Sequence, residues 1–374
     1  MNNTIHTSQA IVDLAAYAHN LSVVRNLVGP SCRIAAIVKG DGYGLGALPM
    51  ARRALESGAS MLGVATVDEG IQLREGGIDA PILVMMQSDT DVLASVVRYG
   101  LTLMLSDVRT AELLGEMARK ANTVAPVHCM IDTGMNRQGF ALETAADEIQ
   151  YLTRISHIDI EGIGTHFPTA NVVDDVLTYG QIKAFKQLLK RLEKDGTPYE
   201  MAHTANSAGT VNYPSSLFNM VRVGIMTYGV WPTDQPPAAT LLKPVLRWET
   251  TVAQVRGIGA GETVGYGRTY TASTPMRVAM LPIGYADGYP YHLSNKGEVL
   301  IRGVRCPLRG TVCMDQIVVD VTGVPRVEVG DTAVLAGGHG EDAITVAELA
   351  HHAETIPYEI LTGIGRRVPR IYEG

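Results

Sequence analysis

The stretch AAIVKGDGYGLGA, Ala35 to Ala47, sets Lys39 at the end of an apolar run and follows it at once with Gly40, Gly42, Gly44 and Gly46. A lysine alone in a loop reads as a surface residue, so its weight depends on its company. Downstream stand Arg137 in DTGMNRQGF, His166 in GTHF, Asn206 and Ser207 in HTANSAG, and Arg222 and Gly224 in VRVGI. An amine in a largely dry site has its ammonium form disfavoured, which leaves the neutral amine available as nucleophile or base. That is the chemistry of an imine with an aldehyde. The glycines let the backbone turn tightly and approach a ligand, and the Ser207 hydroxyl with the amides around Gly224 suits a phosphate. Together these parts describe a site for an anionic aldehyde cofactor.

Such residues need a scaffold that brings them to one face. Eight short apolar or β-branched runs, 34–38, 61–65, 82–86, 101–105, 124–131, 158–164, 199–203 and 220–223, alternate with segments of helical period. Thr66 and Glu69 form a T-x-x-E capping box, and Ile182, Phe185, Leu188, Leu189 and Leu192 follow the 3.6-residue repeat, as do Leu113, Leu114, Met117, Ala118 and Ala121. Eight strands alternating with helices over roughly 235 residues predict an α/β fold, a (β/α)8 TIM barrel, whose reactive groups gather at the C-terminal ends of the strands. Lys39, Arg137, His166, Asn206, Ser207, Arg222 and Gly224 all fall at such ends. A doubly wound open sheet is the competing topology, but no G-x-G-x-x-G opens the first helix. The Pro-rich WPTDQPPAATLLKP reads as a linker, and the Val-rich alternating runs beyond it predict a smaller, mostly β C-terminal domain. The boundary falls at 238, with the barrel over 1–238 and the β domain over 239–374.

The chain has 374 residues and a net charge of −7 with no Lys/Arg-rich block, so nothing points to nucleic acid and a small-molecule partner is the default. No apolar run reaches the roughly 20 residues that span a bilayer, and the start lacks a basic region before an apolar one. No membrane association and a cytoplasmic location are therefore expected. Cys32, Cys129, Cys306 and Cys313 lack CxxC spacing and read as reduced core thiols, and the scattered histidines offer no metal set.

The blocks AIVKGDGYGLG, DTGMNRQGF, THF, HTANSAG, VRVGIMTYG, VGYGRTY, IGYADGYP, CMDQ and ETIPYEIL resemble, in order and spacing, those of the alanine racemase family, from about Ala10 to the C-terminus. The resemblance implies an amino-acid racemase that interconverts L- and D-alanine and supplies D-alanine for peptidoglycan. It implies that Lys39 carries pyridoxal 5'-phosphate and then acts as the base for the D-enantiomer, while Tyr266 serves the L-enantiomer. Removing a proton on one face and returning one on the other needs two such groups. Tyr266 would come from the partner subunit of a head-to-tail homodimer with shared active sites.

By the same resemblance, Tyr43, Ser207, Gly224, Ile225 and Tyr358 would hold the phosphate, and His166 would pack on or near the ring. Arg222 would face the ring nitrogen, where many enzymes of this cofactor place a carboxylate. Arg137 and the Met314 amide would orient the substrate carboxylate, with Tyr285, Tyr358 and Asp315 lining the entrance. One position departs from the pattern. Most members of the family carry a carbamylated lysine seven residues before this arginine, and here Met130 stands there. Either another anion, such as chloride, takes that place, or other hydrogen bonds hold Arg137. A preference broadened or shifted toward serine is the expected consequence. A pyridoxal-phosphate-dependent decarboxylase on the same barrel is the remaining alternative, although such enzymes usually hold the phosphate with a glycine triplet where this chain has Ser207.

Overall fold

The computed structural model describes residues 7–233, 241–338 and 343–374. In chain order the first ten strands are β1 (Ser8–Asp13), β2 (Arg33–Ile37), β3 (Met61–Val64), β4 (Ile82–Val84), β5 (Thr102–Leu105), β6 (Ala125–Asp132), β7 (Phe140–Ala141), β8 (Ile158–Gly164), β9 (Met201–His203) and β10 (Met220–Val223). Strands β5-β4-β3-β2-β10-β9-β8-β6 pair in that order, and β5 pairs with β6, so the parallel sheet closes on itself as an eight-stranded barrel. The closing seams are well registered, with Val221 opposite Ile34 and Leu103 opposite Val127. The two-residue β7 extends β6 outside the ring.

Each barrel strand is buried on both faces, which is why the sequence shows continuous apolar runs rather than alternation. The barrel interior is filled by Ala35, Met61, Leu83, Met104, Met130, Met201 and Met220, with Met85 packed against them. Unbranched thioethers fill an irregular tapering space that branched side chains would leave partly void. Several of the helices between strands start on side-chain caps. Thr66 and Glu69 form the expected capping box, Asp107 Oδ1 accepts from Thr110 N–H at 2.8 Å, and Asp175 Oδ2 accepts from Thr178 N–H at 2.9 Å. The helix Val176–Lys194 buries the predicted stripe Ile182, Phe185, Leu188, Leu189 and Leu192.

The second unit contains β11 (Leu246–Thr251), β12 (Gln254–Ile258), β13 (Thr263–Val264), β14 (Tyr270–Thr271), β15 (Met276–Leu281), β16 (Glu298–Ile301), β17 (Val304–Pro307), β18 (Ile317–Asp320), β19 (Thr332–Ala336) and β20 (Arg370–Glu373). Its main sheet runs β17-β16-β19-β11-β1-β20, beside a three-stranded sheet β12-β15-β18 and the ribbon β13-β14. The fold is thus a barrel with a smaller, mostly β C-terminal domain.

One feature corrects the division drawn from sequence. Strand β1 belongs to the β unit: Ala10 lies opposite Trp248 of β11, and Ile11 opposite Ile371 of β20. Residues up to Tyr17 and residues 43–46 group with 243–374, and the rest of the described chain to Leu242 forms the barrel unit. From sequence, the start falls within the barrel domain, 1–238. A strand whose partners lie some 240 residues away leaves no local signature beyond SQAIVD. The boundary at 238 and half of the Pro-rich linker fall outside the described residues. Among the described residues no helix is long and apolar enough to cross a membrane. Cys32, Cys129 and Cys306 are buried free thiols, as expected, and Cys313 is partly exposed.

Candidate active site

Lys39 follows β2, at the barrel's C-terminal mouth, and the chain then makes a turn of opposite hand to an α-helix. Gly40, Asp41, Gly42, Tyr43 and Gly44 all have positive φ, between 52° and 80°. L-residues resist this by about 1–2 kcal/mol each, so glycine at three of the five positions makes the turn accessible. Asp41 stabilises it by accepting the Ala47 N–H at 2.8 Å, and Gly42 N–H bonds back to Val38 O at 2.8 Å. Lys39 has an opening to solvent by surface area, yet the wall of protein around its amine is dense. That wall, not the opening, governs the solvation of its charge. Its ammonium form is disfavoured first by desolvation and then by the guanidiniums of Arg137 and Arg222, with Glu69 opposing.

Arg222, on β10, is only 4% exposed and has no carboxylate partner among the described residues. Nη2 donates to Thr165 O at 2.7 Å, to His166 Nδ1 at 3.0 Å and to Thr204 O, while Nη1 donates to His203 Nδ1 and to His203 O at 3.1 Å. A guanidinium only donates, so His203 Nδ1 and His166 Nδ1 are both acceptors. His203 therefore carries its proton on Nε2 and donates to His128 Nδ1 at 2.8 Å. His128 in turn carries its proton on Nε2, 3.9 Å from the Glu161 carboxylate. Burial first and Arg222 second hold all three imidazoles neutral: His166 and His128 are lowered to about 3, and His203 falls well below its ordinary value. Burial and Arg137 lower Arg222 to about 10, which leaves it charged at neutral pH. Glycines make this row possible, because a Cβ at Gly162 or Gly164 of β8 would overlap the His128 or His203 ring.

Ser207 begins the short helix Ser207–Asn212, which Asn206 caps by accepting Gly209 N–H at 2.9 Å. Ser207 Oγ accepts from Gly224 N–H at 2.9 Å and Met226 N–H at 3.5 Å, so its own O–H is left to donate. A donor hydroxyl, the turn at Gly224 and Ile225, and a buried cation without an acid partner fit an anionic group bearing a ring acceptor nitrogen. Pyridoxal 5'-phosphate is such a group.

Arg137 is exposed on the loop after β6, close enough for its charge to act on Lys39, His166 and Arg222. Asp132 Oδ1 accepts from the N–H groups of Gly134, Met135 and Asn136, and Gln138 Nε2 donates to Met85 O at 2.7 Å. These bonds shape the loop. Met130 packs in the methionine-lined barrel interior, and its thioether carries no charge.

In the β unit, the Tyr43 and Tyr358 rings lie 5.9 Å apart, and burial raises both phenols. Tyr285 N–H and Ala286 N–H donate to Cys313 O and Met314 O. Arg367 bonds Asp287 and Asp315 at once, at 2.9 Å and 2.7 Å, and so ties Asp315 and the Met314 segment to the Tyr285 turn. Tyr266 stands apart from these groups, 76% exposed, on the loop between β13 and β14.

His128 and His203 are not among the site residues expected from sequence, although a lone polar residue within VHCMI and at the end of MAH was the available signal. Gln138 is not among them either, and Glu69, expected only as a helix cap, also accepts Gly40 N–H at 2.6 Å.

A closed barrel with a lysine amine whose charged form is disfavoured and a buried arginine at its mouth, followed by a mostly β unit, is the frame of a two-domain barrel enzyme. The comparisons narrow this class. Residues 12–232 match the profile "Alanine racemase, N-terminal domain" and residues 245–372 the profile "Alanine racemase, C-terminal domain". The alanine racemase of Halothermothrix orenii is 40% identical over 364 residues, covering 97% of this chain and 96% of that protein. The solved alanine racemase of D-cycloserine-producing Streptomyces lavendulae superposes with a TM-score of 0.95 at 33% identity, over 100% of this chain and 98% of that one. That of Bartonella henselae, with covalently bound pyridoxal phosphate, gives 0.89 at 31% identity over 99% and 100%. The chain belongs to the alanine racemase family and is an amino-acid racemase of the alanine racemase type.

Proposed function

We propose that the protein interconverts L- and D-alanine with pyridoxal 5'-phosphate held on Lys39, using Lys39 and a partner subunit's Tyr266 side chain as the two bases, and so supplies D-alanine for peptidoglycan. The observation that carries this reading is the Lys39 amine at the barrel mouth, whose ammonium form is disfavoured by desolvation and by two guanidiniums. The covalently bound cofactor of the Bartonella henselae relative supports it. When bound, the cofactor acidifies the substrate α-hydrogen by drawing electrons from the α-carbon. Lys39 Nζ would take the proton on the D-face as the amine and return it as the ammonium, and the Tyr266 oxygen would take it on the L-face as phenolate and return it as phenol.

Arg222 would donate to the ring nitrogen and, staying protonated itself, leave that nitrogen uncharged. A weaker electron sink favours prompt return of the proton over side reactions. Neutral His166 beside it offers no competing acid. Ser207, Gly224 and Ile225, with Tyr43 and Tyr358, would bind the phosphate, and Arg137 with the Met314 amide the substrate carboxylate. Tyr285, Tyr358 and Asp315 would bound an entrance fit for a small side chain. An exposed Tyr266 suits a head-to-tail homodimer, in which each active site borrows this ring.

Inversion and solvent-deuterium incorporation, followed side by side for L-alanine and L-serine, test the reading. Tyr266→Phe should lower inversion by about 10²–10⁴-fold. Unchanged turnover in that variant would sink the two-base reading. Met130 favours one refinement: a thioether carries no carbamate, so another anion or other hydrogen bonds must hold Arg137, and the serine-to-alanine ratio should be raised. Turnover of L-alanine orders of magnitude above that of L-serine would remove it.

A further inference from the structure

Within its own chain the Tyr266 ring is three-quarters exposed and has little packing to aim it, so what that chain offers is the backbone beneath it. That backbone is unusual: Gly265, Gly267 and Arg268 have φ of 70°, 69° and 52°, and only short strands flank the loop. A directed chain of hydrogen bonds holds it. Thr311 Oγ1 donates to Tyr266 O at 3.0 Å, so it must accept from Thr269 Oγ1, 3.2 Å away. Thr269 Oγ1 accepts in turn from Asn295 Nδ2 at 3.1 Å. The other end of the same amide, Asn295 Oδ1, accepts Gly310 N–H at 2.6 Å, and Asn295 N–H donates to Gly310 O at 3.1 Å. Asn295 itself has φ 58°, a conformation that asparagine tolerates better than most residues. Gly310 is pinned on its far side, where a Cβ would lie 2.7 Å from Val264 O.

We propose that Asn295, acting through Thr269 and Thr311, is the positioning residue for the Tyr266 phenol, and that its two-ended side-chain amide sets where the second base stands. This rests on the reading of Tyr266 as the L-face base. Asn295 meets both the Thr269 side and the Gly310 side of the junction, and it is the side chain whose donor and acceptor ends are both committed there. Aspartate in its place could accept from Gly310 but could not donate to Thr269.

The test uses the homodimeric holoenzyme with D-alanine in deuterated water. Lys39 removes the α-proton, and a solvent deuteron then reaches the α-carbon either from Lys39 with retention or from Tyr266 with inversion. Asn295→Asp and Thr311→Val should each lower inversion roughly 10- to 100-fold, as expected for a misplaced catalytic group. Deuterium wash-in with retention should persist, and Thr311→Ser should restore inversion. Independently of activity, amide hydrogen exchange across residues 265–271 of the cofactor-free protein should quicken in both damaging variants.

Loss of retention and inversion in equal proportion, or no change in either, overturns the proposal. Tyr266→Phe is the control: if it does not separate retention from inversion, the assignment of the second base fails. If it does and the other two variants do not, the positioning role fails alone. Should Asn295→Asp not fold, Thr311→Val decides.

Discussion

At the barrel mouth Arg222 is almost wholly buried and donates to imidazoles and carbonyls on neighbouring strands, whereas Tyr266 in the β unit is mostly exposed on a loop held through hydroxyls. The first arrangement is a by-product of closing the sheet, since strands that must pair to exclude water carry these groups with them. The second exists only where a few polar side chains tie three loops together. Chemistry in the mouth should therefore be coupled to stability, and chemistry on the loop should be separable from it.

The sharpest check is Lys39→Ala, which removes the reactive amine without touching a buried contact. Activity in both directions should fall by at least about 10⁴-fold, since nucleophile and base go together. Purified protein should also lack the visible absorbance of a lysine-bound cofactor. Retained activity would break the comparison at its root. Next in size is Gly164→Ala, whose new methyl group would overlap a His203 ring locked between Arg222 and His128. Overpacking of this kind costs about 1–3 kcal/mol, readable in the urea midpoint.

A pH series gives a smaller signal of defined sign. The unfolded His166 imidazole titrates near its ordinary 6.5 and the folded one near about 3. Between those values the unfolded chain binds the extra proton, so stability falls as pH drops from 6.5, by at most about 1.4 kcal/mol per pH unit for each imidazole. His166→Gln should flatten that slope by about one proton, and an unchanged slope would mean that His166 is already charged in the fold. Smallest of all, Tyr266→Phe should move unfolding stability by no more than about 0.5 kcal/mol, as for an exposed side chain. A larger loss would show the loop to be part of a core.

The same contrast explains what could be read in advance. The eight barrel strands are legible because two-sided burial writes an apolar run, and Lys39, Arg137, His166, Ser207 and Arg222 are legible because each lies near or soon after the C-terminal end of such a run. The tautomer-fixing pair His128 and His203 is not, because a histidine inside an apolar run looks alike whether it fills space or orients an arginine. Their clue lay on another strand, in Gly162 and Gly164, whose missing side chains mean something only once β6, β8 and β9 are neighbours. Strand β1 escaped for the related reason that its partners are remote. The role of Asn295 depends on three segments meeting, and no spacing encodes that.

The reversed turn from Gly40 to Gly44 has a stereochemical consequence. Its backbone angles are those a mirror-image residue adopts without cost. In a chain assembled chemically, a D-amino acid placed at one of those glycines would meet no torsional penalty and would lose less freedom on folding than glycine does. The segment beside the reactive amine is thus left-handed enough to welcome, as a building block, the enantiomer that the enzyme is proposed to make.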